Sequence, residues 1–179
     1  MFFNKHKKQG REMGQNLLTM LSAALIGTPF FDENGKWKPP VEFFEDDYVF
    51  GFITGFSGMV IDVGLGGRSW SQDRRGECII EVFKILDETG TLQRRLINLS
   101  SGSINRSPVL QNGSEAGMLA AVVIHNKLRP DYSSTDLVEA INMAKRLFSM
   151  KQFNSLNEAL PLSVLMVTIA KYLKENWRN

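Results

Sequence analysis

Histidine and cysteine, the side chains that most often carry acid–base, thiol or metal chemistry, are scarce in this chain. The two histidines are His6 and His125, and the one cysteine is Cys78. A lone cysteine forms neither an internal disulfide nor a cysteine metal site. Neither histidine has a His, Cys, Asp or Glu partner at a metal-ligand spacing. The sequence therefore predicts no metal site, no cofactor and no identifiable catalytic residue.

The glycine-rich segment at residues 64–69, Gly-Leu-Gly-Gly-Arg-Ser, is the nearest approach to a ligand-binding motif. It precedes a predicted helix, whose N-terminal amides attract anions. It lacks the Gly-Lys-Ser/Thr ending of a phosphate-binding loop, so we interpret it as a turn between helices. If the chain has a ligand pocket, we expect Asp62 and His125 to be its polar groups, with Arg68 at its rim. The structural alternative for His125 is a position at a helix end, where the dipole favours a cation.

A second unusual pattern lies in the helix predicted over residues 47–63. Gly51, Gly55 and Gly58 recur on one helix face, and each costs about 1 kcal/mol of helix propensity relative to alanine. Close approach of another backbone is the usual compensation, so we predict that this face is a packing interface. The uncharged run within the helix, residues 48–61, is shorter than the roughly 18 residues of a membrane span, and the sequence predicts no transmembrane segment.

Apolar residues recur at spacings of three and four along most of the chain, which is typical of amphipathic helices. They predict helices over residues 9–26, 47–63, 72–89, 91–99, 114–128 and 135–150, and from about residue 155 onwards. Residues 28–46 are predicted to be an irregular connection lying on the core, and residues 100–114 a long loop. We therefore expect one all-α domain over residues 1–179, a bundle of six or seven helices.

Composition narrows the function class. The 43% hydrophobic and 22% charged residues are typical of a soluble globular protein, and a single cysteine fits the cytoplasm. The net charge of +2 is a weak signal for nucleic-acid binding. The leading hypothesis is a non-enzymatic interaction module that binds a protein partner or a second copy of itself as a homodimer. The alternative is a small-molecule-binding or enzymatic domain with a pocket beside the 47–63 helix, and weak nucleic-acid binding comes third.

Overall fold

The computed structural model describes residues 5–102, 107–128 and 132–177, and these residues form the all-α bundle that the sequence predicts. The helices are α1 (Lys5–Ala24), α2 (Val41–Glu45), α3 (Asp47–Val63), α4 (Gln72–Leu86), α5 (Thr91–Ser100), α6 (Pro108–Ile124), α7 (Thr135–Ser149) and α8 (Leu156–Asn176). A short 3₁₀ turn, Gly67–Ser69, precedes α4, and α8 contains a π-helical segment, Met166–Ala170. The helix that was not predicted is α2, a single turn within the connection at 28–46.

Side-chain caps explain where the longer helices begin. Each cap oxygen accepts a hydrogen bond from the backbone N–H three residues later, which satisfies a donor that the helix itself leaves free. The capping residues are Asp46, Ser71, Ser107, Ser134 and Ser155. Such a cap stabilises a helix by about 1 kcal/mol. The predicted starts of α3, α4, α7 and α8 follow from this local chemistry.

Helix α6 lies about one and a half turns nearer the N-terminus than its sequence pattern predicts. It starts at Pro108, a proline in the first helical position after the Ser107 cap, so residues 108–114 of the predicted loop are helical, whereas its residues 103–106 lie outside the described residues. It ends at Ile124 because Asn126 adopts a left-handed conformation, with φ of 51°. The N–H of Lys127 then bonds back to the Val122 carbonyl at 2.9 Å, which closes the helix end.

Each of the helices in the described residues contributes to the core, and α3 contributes ten buried residues. Phenylalanine dominates it, and the fully buried rings are Phe30, Phe43, Phe50, Phe52, Phe56 and Phe83. The connection at 28–46 lies on this core, as its aromatic residues predict. Phe30 packs on Phe43 with ring centroids 4.9 Å apart, and the Trp37 indole N–H donates to the Leu86 carbonyl at 3.1 Å.

Helices α3 and α6 form the most extensive helix–helix contact among the described residues. At four glycines, two on each helix, an added methyl group would overlap a carbonyl oxygen of the other helix: Gly51 on Leu110, Gly55 on Ser114, Gly113 on Tyr48 and Gly117 on Phe52. Gly51 and Gly55 of the predicted face therefore pack against α6 of the same chain, whereas Gly58 faces open space. Gly10 brings α1 close to the Cys78 carbonyl of α4, and Gly14 packs against the Ile85 side chain of the same helix.

An aspartate pair at the start of α3 ties several helices together. Arg95 of α5 forms an ion pair with Asp47, donates to the Phe44 carbonyl at 3.2 Å, and lies 4.5 Å from the centroid of the Phe50 ring. The second oxygen of Asp47 accepts from the Ser107 hydroxyl at 2.6 Å. Arg95 is thus engaged inside the fold.

The two glycines of α3 give a matched test of the α3–α6 contact. We expect Gly55→Ala to lower the free energy of unfolding by about 1–3 kcal/mol, because the new methyl group meets the α6 backbone. Gly58→Ala, on the same helix but facing open space, should raise it by about 0.5–1 kcal/mol through helix propensity. Urea unfolding of both variants measures the difference, and equal effects would contradict the contact.

Candidate functional site

The structure places the three residues expected around a ligand pocket in different surroundings. Asp62, half-buried on α3, forms an ion pair with Arg75 of α4. Arg75 also donates to the Gly67 carbonyl at 3.2 Å, so the pair fixes the turn between the two helices. Arg68 lies exposed in that turn.

His125 is the C-cap residue of α6 and lies against Gly64 at the end of α3. It lines a cavity of about 180 Å³ whose walls are mostly apolar, among them Met13, Phe56 and Val60. Burial and the nearby Lys127 lower the pKa of His125 below its ordinary value. Within the residues that the structure describes, no hydrogen bond or ion pair joins His125 to Asp62 or Arg68.

A larger and more polar cavity, of about 360 Å³, opens between the starts of α3 and α7, the middle of α6 and the C-terminal half of α8. We call it the tyrosine groove and define it by six of its lining residues: Tyr48, Glu115, Asp136, Lys171, Tyr172 and Glu175. A concave cavity with several converging polar groups is the usual form of a binding site. It is therefore the candidate functional site.

Two stacked tyrosines form one wall of the groove. The rings of Tyr48 and Tyr172 are nearly parallel, at 9°, with centroids 3.9 Å apart. The Tyr172 hydroxyl donates to the Asp46 carboxylate at 3.0 Å, and the other oxygen of Asp46 caps α3. The C-terminal half of α8 is thereby fixed to the start of α3.

The π-helical segment of α8 sets which side chains face the groove. Val167 and Thr168 belong to this segment and line the cavity, and Lys171 and Tyr172 follow it directly. The Thr168 hydroxyl donates to the Val164 carbonyl at 2.6 Å. Because a π-bulge inserts one residue into an α-helix, it rotates the residues beyond it by about 100°. Such segments are frequent at functional sites.

Carboxylates dominate the charge in the groove. Lys171, the one cation among the described residues that line the groove, pairs with Glu139 at 2.9 Å. The hydrogen bond that Lys171 donates to that glutamate, with further carboxylates nearby, raises the pKa of Lys171. Burial, followed by the charge of Glu139, raises the pKa of Asp136. Glu115 and Glu175 add two more carboxylates, so the groove carries net negative charge.

The phenols of the groove are hydrogen-bond donors rather than bases. Burial and the nearby Asp46 raise the pKa of Tyr172 to about 12, and burial together with Asp136 raises the pKa of Tyr48 well above its ordinary value. Away from the groove, burial raises the pKa of the Cys78 thiol to about 11, which disfavours the thiolate. The carboxylates and neutral phenols of the tyrosine groove are suited to holding a cation.

The described residues contain no group of three or more His, Cys, Asp or Glu side chains placed to hold a metal ion. Within the same residues, α8 is long and apolar enough to cross a membrane, with a mean hydropathy of 1.2, and 44% of its most apolar window is buried inside the fold. A core helix of a soluble protein meets the same criteria, and a transmembrane segment is not indicated.

No protein-family model, curated protein or solved structure matches this chain. The geometry and charge of the tyrosine groove are therefore the basis for a functional proposal.

None of the six residues that define the groove stands out in the sequence. Tyr48 and Tyr172 lie near opposite ends of the chain, and no spacing connects them. The nearest signal in the sequence is the pair Asp46 and Asp47, either of which could cap α3. The structure shows that Asp46 is the cap and that it also accepts a hydrogen bond from Tyr172.

The lowered pKa of His125 predicts how stability depends on pH. Its ordinary pKa is 6.5, so on acidification the unfolded chain takes up the proton before the folded chain does, and stability falls below about pH 6.5. Thermal unfolding between about pH 7.5 and about pH 5.5 should show a smaller loss of Tm for His125→Gln than for the wild type. His6→Gln is the control for the other histidine, and an unchanged slope in His125→Gln would contradict the prediction.

Proposed function

We propose that the protein is a non-enzymatic binding module whose tyrosine groove takes a basic side chain, lysine or arginine, from a partner protein. The observation that carries the proposal is the convergence of Glu115, Asp136 and Glu175 on one cavity. Lys171, the cation beside them, already has Glu139 as its ion-pair partner.

The charge balance favours a cationic occupant. The raised pKa of Asp136 means that its carboxylate charge is incompletely compensated by its surroundings. An ammonium or guanidinium group entering the groove would supply the missing compensation. An anion would have to displace solvent next to three carboxylates, which is strongly unfavourable.

The shape of the groove favours a side chain presented by a protein. Its rim is accessible, since Asn112, Glu115, Tyr132, Lys171 and Glu175 are all exposed. Tyr132 offers an aromatic ring, 45% exposed, to a cation entering the groove, and a cation over a tyrosine face gains about 0.5–1 kcal/mol at an exposed site. Tyrosine is also enriched at protein interfaces.

A small-molecule pocket beside α3 is the second candidate, because the cavity at His125 adjoins the C-terminal half of that helix. Its volume of about 180 Å³ is below the roughly 300–1,000 Å³ of typical ligand pockets. The tyrosine groove, at about 360 Å³, lies within that range, and so does a cavity of about 400 Å³ beside Phe50, Gly51 and Thr54 of α3. We favour the tyrosine groove because several charged side chains converge on it, whereas Glu115 is the one charged residue among the described residues that line the other cavity.

We also propose a cytoplasmic location, supported by the single buried cysteine, Cys78. Self-association is included in the proposal, since α1 begins with the cations Lys5, Lys7 and Lys8, which would suit the groove of a second copy. Sedimentation velocity over a range of concentrations tests it, and a monomer throughout would restrict the proposal to a different partner protein.

Titration of the isotope-labelled protein with N-acetyl-arginine methylamide and N-acetyl-lysine methylamide tests the groove directly. We expect salt-sensitive chemical-shift changes centred on Tyr132, Asp136 and Tyr172, since screening weakens charge interactions. The double variant Glu115→Gln, Asp136→Asn should weaken binding about tenfold, or roughly 1.4 kcal/mol.

Two controls make this titration decisive. N-acetyl-glutamate methylamide should leave the groove signals unchanged, and the double variant Glu33→Gln, Glu88→Gln, which alters exposed carboxylates away from the groove, should bind like the wild type. Shift changes scattered over the surface, or equal affinity in both double variants, would exclude the groove as a cation site.

A further inference from the structure

The end of the α7–α8 hairpin carries apolar side chains that the rest of the described chain leaves uncovered. Phe148, in the last turn of α7, is 44% exposed, Met150 is 56% exposed, and Leu156, the first residue of α8, is 42% exposed. We call residues 145–156 the hairpin tip. Phe148 and Leu156 lie in the helices on either side of the connecting turn, Met150 lies in the turn itself, and none of the three lines a cavity described above.

Cations surround these apolar side chains. Lys145, Arg146 and Lys151 are all exposed, and none of them has an ion-pair partner within the described residues. Residues 140–157 contain no Asp or Glu. Of the flanking carboxylates, Glu139 pairs with Lys171, and Glu158, which is exposed, accepts from the Asn154 N–H at 3.1 Å. All charged side chains within residues 145–156 are thus positive.

We propose that the hairpin tip docks on an anionic lipid surface. Phe148, Met150 and Leu156 would enter the headgroup region, and the three cations would face the lipid charges. Apolar side chains bordered by lysine and arginine are the composition of segments that bind the membrane interface. A lipid headgroup layer offers negative charge beside an apolar interior, and so it complements both the exposed apolar side chains and the cations of the tip.

The position of the tip leaves the tyrosine groove free. Asp136 and Tyr132 lie at the start of α7, and the tip lies at its other end. The 15 residues of α7 extend roughly 22 Å at 1.5 Å per residue. Docking through the tip would therefore hold the groove away from the bilayer, and the inference is independent of what the groove binds.

Co-sedimentation with lipid vesicles tests the proposal. The wild type should bind vesicles of phosphatidylcholine mixed with phosphatidylserine, and should bind weakly to phosphatidylcholine alone. Each cation near an anionic surface strengthens binding about fivefold. The triple variant Lys145→Gln, Arg146→Gln, Lys151→Gln should therefore lose at least tenfold in affinity, and high salt should reproduce this loss in the wild type.

The apolar contribution needs its own variant and a matched control. Phe148→Gln with Met150→Gln should also weaken binding at least tenfold. Ile26→Gln should not weaken binding, because no charged residue lies within residues 13–31 around Ile26. Ile26 is a stringent control, since at 83% it is the most exposed large apolar residue described. All these positions are exposed, and equal Tm values confirm that the variants fold.

A fluorescent label at a single introduced cysteine shows which part of the protein contacts the lipid surface. Met150→Cys labelled with an environment-sensitive dye should shift to the blue on phosphatidylserine vesicles, while Ile26→Cys labelled in the same way should not; Cys78 is buried and should not compete for the label. Failure of the wild type to bind phosphatidylserine vesicles would overturn the proposal. So would comparable binding to soluble polyglutamate with no loss in the apolar variant, which would assign the tip to an acidic protein.

Discussion

Four glycines bring the backbones of α3 and α6 so close that a methyl group on any of them would overlap a carbonyl oxygen of the opposite helix. Each glycine costs helix propensity, and the close packing that it permits offsets this cost. The contact also determines the candidate site, because Gly113 rests on the Tyr48 carbonyl. Tyr48 on α3 and Glu115 on α6 therefore hold fixed positions on two walls of the same groove.

Asp46 and Asp47, at the start of α3, connect the α3–α6 pair to the other helices of the bundle. Asp47 holds Arg95 of α5 and the Ser107 cap of α6, and Asp46 holds Tyr172 of α8 while capping α3. A carboxylate shared between a helix cap and a distant donor makes the start of one helix depend on the position of another. The groove is consequently built on rigid elements, which is how binding sites keep their geometry.

Helix caps and apolar spacing made most of the helices predictable from the sequence, whereas the groove depends on tertiary packing. The bounds of α3 follow from its cap and its apolar stripe, and Gly51 and Gly55 indicated a close helix contact. Gly113 and Gly117 have the same spacing as Gly51 and Gly55. The polar composition of residues 100–114 predicts a loop, however, so the sequence does not indicate that Gly113 packs in a helix–helix contact. The groove was beyond prediction, because the π-helical segment that orients Lys171 and Tyr172 leaves no recognisable pattern in the sequence.

The two surfaces that carry the proposals have opposite charge and lie at opposite ends of α7. Net negative charge gathers around Asp136 at the start of the helix, and Lys145, Arg146 and Lys151 gather at its other end. At physiological ionic strength the field of a charged surface decays over about 8 Å, well short of the roughly 22 Å spanned by α7. A bilayer touching the hairpin tip would therefore exert little field on the groove. The affinity of the groove for a cation would be set by its own carboxylates and by Lys171, whether or not the tip is docked.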